Sequence, residues 1–277
     1  MKEVSPLIIS ASRRTDIPAF YMNWFLSEWN KGWTEWVNPF NRHQRKKVLF
    51  KSAELVVFWS KYPIGILRNI KKLDFDFLLL YTVNFYPDLE KKLPDIKERI
   101  GLFKKLSDIM GPSKVIWRFD PIVFYNDIST CEIVSKFDMI SRELEGYTAR
   151  VIISIMTPYK KVVSRMKKRG FFVRDPSEDE ISNLGEKLRE ISSNRGMEIQ
   201  TCADRFWKTF EKVGVRKGSC IDAEYIEDIF KGNKRLVEEL KKLKKDQGQR
   251  KLCGCVNSVD IGKYKTCKFG CTYCYAV

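Results

Sequence analysis

Val115-Ile-Trp-Arg118-Phe-Asp120-Pro121 runs from apolar, β-branched and aromatic residues straight into an arginine and an aspartate. The apolar half fits a buried pleated strand, and the charged half can be placed there only if it meets partners or a ligand. The same pattern recurs along the chain. Leu7–Ile9, Leu55–Trp59, Phe77–Tyr81, Val151–Ile155 and Met197–Thr201 are short and almost uniformly apolar, as strands covered on both faces are. Most are separated by charged, amphipathic segments of helical length, Leu89–Met110, Ile128–Glu145 and Pro176–Arg195. Strand, helix, strand predicts an α/β fold, specifically a partial (β/α)-barrel of mainly parallel strands. Polar residues close nearly every run: Ser10 to Asp16, Ser60-Lys61, Thr82-Val-Asn84, Arg118 to Pro121, Met156-Thr157 and Cys202-Ala-Asp204. Barrels of this kind bind ligands at the carboxyl ends of their strands. Helix N-capping accounts for a single Ser, Thr or Asp, but not for Arg118 and Asp120 flanking a phenylalanine.

The 277 residues are 44% apolar and contain no Pro/Gly/Ser-rich linker, which predicts one domain over 1–277. It carries a small inserted basic hairpin at about 33–50 and a cysteine-rich segment at 202–277. The first dozen residues read as a strand rather than a leader, and no apolar run reaches the roughly 18 residues of a membrane span. A cytoplasmic protein without membrane contact is expected. The net charge of +16 fits a polyanionic partner, or else solvated lysine-rich faces such as Asn233–Lys245. In the hairpin, Trp33, Trp36 and Phe40 stand beside Arg42, Arg45 and Lys46, a pattern that can stack bases and neutralise phosphates but also fits any half-buried basic hairpin. The single histidine, His43, argues against a His-ligated metal site or a Ser/His/Asp triad and reads as a surface loop residue.

Five of the eight cysteines crowd into Cys253 to Cys274, where several short disulfides are sterically disfavoured. In a reducing compartment, clustered thiolates hold zinc or iron–sulfur centres. Thr266-Cys267-Lys-Phe-Gly-Cys271-Thr-Tyr-Cys274-Tyr-Ala spaces three thiols as C-x3-C-x2-C. Three cysteines on one tight loop can ligate three irons of a 4Fe–4S cube and leave the fourth open to the amino and carboxylate groups of S-adenosylmethionine (SAM). Reductive cleavage of SAM then yields a 5′-deoxyadenosyl radical. The bare spacing also occurs in zinc sites; Gly270, Tyr273 and Tyr275-Ala276 supply the context that favours the cluster. Cys202, Cys220, Cys253 and Cys255 are expected to form an auxiliary 4Fe–4S cluster or an all-cysteine zinc site, against the alternative that Cys202 and Cys220 are small buried apolar residues. Cys131, alone in a helix, reads as structural.

Cys267 to Ala276 resembles the cluster loop of the radical SAM superfamily, most closely that of its spore photoproduct lyase and DNA repair photolyase relatives. Nearly end to end, the chain also resembles a prokaryotic family of unknown function. The matching marks are Ser10-Ala-Ser-Arg-Arg-Thr-Asp-Ile-Pro18, Arg118 to Pro121, Cys220-Ile-Asp222, Cys253-Gly-Cys255 and Asp260-Ile-Gly-x-Tyr264. The resemblance implies a radical SAM enzyme with SAM as cofactor, a reductant such as flavodoxin or ferredoxin, and nucleic acid as a substrate class. It assigns cofactor contacts to Ser12, Thr15, Asp16, Arg118, Asp120 and Tyr273, with Arg118 as a fork for the SAM carboxylate. The alternative is a non-catalytic zinc or iron–sulfur protein that binds nucleic acid. In the superfamily the cluster loop follows the first barrel strand, whereas here it ends the sequence. This implies a circular permutation in which the N-terminal strand follows the loop in space. The sequence stops three residues after Cys274, where the relatives continue, so a truncated chain with an incomplete cofactor pocket is one reading.

Overall fold

The computed structural model describes residues 1–39 and 41–277; of the hairpin aromatics, Phe40 lies outside the described residues. In chain order the strands are β1 (Lys2–Val4), β2 (Ile8–Ala11), β3 (Trp33–Asn38), β4 (Asn41–Leu49), β5 (Leu55–Ser60), β6 (Phe77–Thr82), β7 (Val115–Ile122), β8 (Arg150–Ile155), β9 (Glu198–Cys202), β10 (Arg216–Gly218) and β11 (Val259–Asp260). The helices are α1 (Ile17–Phe20), α2 (Met22–Lys31), α3 (Ile64–Asn69), α4 (Ile96–Met110), α5 (Thr130–Leu144), α6 (Lys160–Lys168), α7 (Glu178–Asn194), α8 (Trp207–Lys212), α9 (Ala223–Ile229) and α10 (Lys234–Leu240).

Eight strands form one sheet in the order β11-β2-β5-β6-β7-β8-β9-β10, every neighbouring pair parallel. This is an α/β fold, and the order is consistent with a partial barrel. All six apolar runs are strands of this sheet, because both of its faces are covered. One face, with Ile9, Phe58, Tyr81, Trp117 and Ile153, packs into the helical layer with Phe103, Phe137 and Leu184. The other, with Ile8, Val57, Leu80, Ile116 and Ile152, is sealed by Ile226, Phe230, Leu236 and Leu240 of α9 and α10, and by four cysteines.

Two differences from the sequence reading bear on the site. The helix expected from Leu89 begins only at Ile96: Asp95 caps it by accepting the Lys97 N–H, and Pro94 precedes the cap. Residues 89–95 are left as a turn that carries Glu90 inward. The edge strands β10 and β11 are three and two residues long, too short to show a periodicity. Just beyond them the Val256 N–H donates to the Ile221 carbonyl (3.2 Å), and the Ile221 N–H donates to Cys255 Sγ (3.4 Å). These contacts bring the two ends of the sheet together.

β3 and β4 pair antiparallel, with β1 parallel to β4. Trp33 is covered by Lys31 and Lys47 (4.1 and 5.0 Å to the ring) and Trp36 by Lys46 (5.0 Å), so both indoles already stack on ammonium groups of the chain itself. His43 is exposed on β4 rather than in a loop. Among the described residues no helix is long and apolar enough to cross a membrane.

The packing of α3 on α1 gives a direct test. A methyl on Gly65 would lie 2.3 Å from the Pro18 carbonyl oxygen, a backbone atom that no rotamer change can move. Gly65→Ala is expected to cost about 1–3 kcal/mol of stability, read as a lower urea midpoint at unchanged slope. An unshifted midpoint would contradict the packing.

Candidate functional site

The chain leaves β2 through Ser10-Ala-Ser-Arg-Arg-Thr-Asp16, and every polar side chain of this turn but one has a hydrogen-bond or ion-pair partner. Asp260, next to β2 on β11, accepts from Ser10 Oγ (2.9 Å), the Arg13 N–H (2.7 Å) and the Gly262 N–H (3.0 Å). Ser12 Oγ accepts from the Arg14 and Thr15 N–H groups (2.9 and 3.3 Å). Asp16 caps α1 through the Ala19 N–H (3.0 Å) and ties in the end of β5, accepting from Ser60 Oγ and the Lys61 N–H (both 2.7 Å). Burial lifts its carboxyl to about 6 against those hydrogen bonds. The exception is Thr15, whose Oγ1 is buried without a partner.

The C-terminal loop lies across these strand ends. Tyr21 Oη donates to the Thr266 carbonyl (2.7 Å), the Thr272 N–H donates to the Leu89 carbonyl (2.9 Å), and Arg165 of α6 donates to the carbonyls of Thr272 (2.9 Å) and Cys274. Cys267 and Cys274 each raise the Cys271 thiol electrostatically, and the Cys267 thiol is raised by burial and by Asp16. Burial pushes Cys271 up to about 12, partly offset by Lys61, so a metal bound here would displace a proton. Tyr273, between the second and third cysteines, points into the protein. Its hydroxyl, held protonated by burial and by Glu90, donates to Glu90 and receives Lys61 Nζ (2.8 Å) and Asn84 Nδ2 (3.3 Å). Glu90 also receives Lys61 Nζ (2.6 Å) and Arg99 Nη1 (3.4 Å). Asn84 Oδ1 is the second buried atom beside the loop without a partner.

A second gathering is built from Cys202 at the end of β9, Cys220 after β10, and Cys253 and Cys255 before β11. All four are buried and free of disulfides. The four thiols lie near enough to perturb one another: that of Cys202 is raised by its cysteine neighbours and by burial, and that of Cys255 is lowered by the same neighbours and by Arg13. Among the described residues no three His, Cys, Asp or Glu side chains already form a cage around a single ion point. The nest is a collection of thiols with the donor chemistry of a thiolate-held group, not a finished cage.

Between the two gatherings lies a stack of cations on an indole. The Arg13 and Arg118 guanidinium carbons sit 4.8 and 4.9 Å from the Trp59 ring. Arg118 pairs with Asp120, which also accepts from Ser154 Oγ. Burial opposes the charge on Arg118, and the adjacent Asp120 carboxylate outweighs it. Arg13 Nη2 and Arg118 Nε are buried without partners. Tyr275 Oη donates to the Arg13 carbonyl (2.9 Å), and its ring is 42% exposed.

The residues expected at the site therefore divide. Cys267, Cys271, Cys274 and Tyr273 share one loop beside Thr15 and Asp16; Cys202, Cys220, Cys253 and Cys255 meet in the nest; Arg118 and Asp120 are engaged with each other on the nest's side. Ser12 and Asp16 spend their oxygens on backbone turns, the capping role that the sequence equally allowed. Sequence reasoning missed Glu90, Arg99, Trp59 and Arg165, and Arg13 was visible only as part of the polar stretch Ser10 to Asp16. Lys61 and Asn84 were visible only as polar strand ends. Cys131 is exposed in the first turn of α5. A surface cavity of about 450 Å³, lined by Asn126, Phe172 and Arg174 among others, shares no residue with either cysteine set.

The family model described as "Domain of unknown function (DUF1848)" matches residues 8–276, and the chain belongs to that family. No curated protein matches it.

Glu90 joins two cations and a phenol in a site where its side chain is 1% exposed. Glu90→Gln would leave Lys61 and Arg99 facing each other without a counter-charge, an expected loss of about 3–5 kcal/mol. Adding Lys61→Met should recover part of it. Equal chemical denaturation midpoints for all three proteins would rule the network out.

Proposed function

We propose that this member of the family is a radical SAM enzyme, in which Cys267, Cys271 and Cys274 ligate a 4Fe–4S cluster and Cys202, Cys220, Cys253 and Cys255 ligate a second, auxiliary one. The observation that carries the reading is that the three thiols share one loop laid across the carboxyl ends of parallel strands, beside two buried polar atoms left unpartnered, Thr15 Oγ1 and Asn84 Oδ1. Acceptors of that kind suit the amino group and ribose hydroxyls of SAM, and they are costly to bury unused. When bound, the reduced cluster supplies the electron that cleaves SAM to methionine and a 5′-deoxyadenosyl radical.

The protein's own part is orientation. Lys61, Glu90 and Tyr273 fix the loop's inward face, Arg165 fixes its carbonyls, and Asp16 anchors the strand end under Cys267. Arg13 lies within electrostatic reach of Cys255 and Arg118 of Cys220 and Cys202, so their guanidinium groups would offset the charge of thiolates ligating a metal. A circularly permuted radical SAM barrel follows from the same reading: β11, which leads into the loop, pairs with the N-terminal β2 (Val259 opposite Ile9), so the loop precedes β2 in space. The hairpin lends no support to a nucleic-acid substrate, because Trp33 and Trp36 are already covered by lysines.

Anaerobic reconstitution tests the reading. The expected protein is brown, binds about eight irons from two 4Fe–4S centres, and releases 5′-deoxyadenosine from SAM when reduced with dithionite. Cys271→Ala should abolish that release, while Cys253→Ala/Cys255→Ala should lose about four irons and keep the SAM-binding centre. A colourless protein loaded with zinc would overturn the assignment in favour of a non-catalytic role.

A further inference from the structure

Arg165 reaches from α6 onto the C-terminal loop. Its Nε donates to the Thr272 carbonyl (2.9 Å), its Nη1 to the Val277 carbonyl (3.3 Å) and its Nη2 to the Cys274 carbonyl. A guanidinium can serve three carbonyls at once because its donors lie in one fixed plane, which an ammonium does not offer. The helix that carries it is held as well. Val162 and Met166 of α6 are buried, and Arg169, one turn on, donates to Thr272 Oγ1 (3.1 Å). The half-buried guanidinium is therefore fixed against the loop, within electrostatic reach of Cys274 and Cys271.

The charges around the loop are answered unequally. Lys61, the other cation that acts on Cys271, has the Glu90 carboxylate at 2.6 Å. Asp16 lies on the Cys267 side. Among the described residues Arg165 pairs with no Asp or Glu, and residues 261–277 contain neither. Carbonyl oxygens hold this guanidinium in place, and they leave its charge intact where a carboxylate would cancel it.

We propose that Arg165 is a positioning residue whose charge sets the reduction potential of the centre held by Cys267, Cys271 and Cys274. The inference rests on the radical SAM reading, which puts a 4Fe–4S cluster in this loop. Such a cluster gains one negative charge when it takes up an electron, and its potential responds to the charge and hydrogen bonding around it. A fixed, uncancelled cation beside two of the three ligands stabilises the reduced form more than the oxidised form. Arg165 thus makes the cluster easier to reduce, and Lys61, already matched by Glu90, contributes less.

The test is a dye-mediated redox titration of anaerobically reconstituted holoprotein, followed by electron paramagnetic resonance; the loop centre is the signal that Cys271→Ala lacks. In Arg165→Gln the ratio of reduced to oxidised loop centre at a fixed applied potential should fall about tenfold or more, a drop of about 59 mV for one electron. Arg165→Lys keeps the charge without the fork and should stay within about threefold of wild type. Lys167→Met, exposed on the same helix, should leave the potential where it was. No shift in Arg165→Gln would overturn the proposal, and so would equal shifts in the Gln and Lys variants, which would assign the effect to hydrogen bonding. If Arg165→Gln does not load, Arg165→His makes the comparison within one protein. Its potential should lie below wild type at about pH 8, where the imidazole is neutral, and approach wild type at about pH 5; the same gap at both pH values would count against the charge. Loss of the loop centre from every Arg165 variant would also overturn the proposal and leave the arginine a structural clamp. Wild type that assembles no iron–sulfur centre would instead defeat the underlying reading, and this inference with it.

Discussion

The buried carboxylate of Asp260 joins the two ends of the chain. It lies on the last strand and takes the Ser10 hydroxyl and the Arg13 N–H from the first strand and its turn, while its other oxygen takes the Gly262 N–H. Three hydrogen bonds to one charge, two of them across about 250 residues of sequence, fix the register of β11 on β2. Close contact completes the joint: a side chain on Gly262 would meet Ser12 Oγ at 1.8 Å, so only a glycine lets the loop start this near the turn. Both cysteine gatherings depend on it, because the loop departs at residue 261 and Arg13 leans from the same turn toward Cys255.

With that joint in place, the polar interior is affordable only as a connected set. Glu90, Lys61, Arg99, Tyr273 and Asn84 would each be expensive to bury alone. Linked, they satisfy most of one another's groups, leaving Asn84 Oδ1 and Arg99 Nε unpartnered, and hold the cysteine loop from inside. The atoms they fail to satisfy are informative for the same reason. Thr15 Oγ1, Asn84 Oδ1, Arg13 Nη2 and Arg118 Nε border the two thiol gatherings and the space between them, where a bound group would supply what the protein does not.

Much of this architecture was legible in the sequence, and the exceptions have physical causes. The strands of the sheet's middle could be read because burial on two faces leaves an apolar run that nothing else produces. β10 and β11 could not, since two or three residues held by neighbours carry no pattern of their own. The cysteine loop announced itself by spacing. The nest was legible only by elimination, as the thiols left over, because its members lie up to 53 residues apart and meet only when the sheet's ends do. Glu90 was hidden inside what read as the first turn of an amphipathic helix, and Arg165 inside a run of lysines; no one-dimensional period separates a carboxylate turned inward from one on a solvated face.

Net charge was the least informative sequence property, because it sums two populations that the fold separates. The cations drawn into the interior are nearly all arginines: Arg99 and Arg150 are buried, and Arg13, Arg118 and Arg165 are half-buried. A guanidinium is weakly hydrated, stacks on rings as Arg13 and Arg118 do on Trp59, and offers several donors in a plane, so it survives partial desolvation. Lysine's compact ammonium keeps its hydration, and the lysines accordingly stay on the rim; Lys61 enters only because Glu90 and Tyr273 receive it. The +16 surplus therefore does not describe a uniform positive field. Arginines answer the buried carboxylates and thiols, and the unpaired lysines around residues 261–277 are left facing solvent. The interior between the two gatherings instead answers its guanidinium groups with its own carboxylates, Arg118 with Asp120 and Arg14 with Asp260.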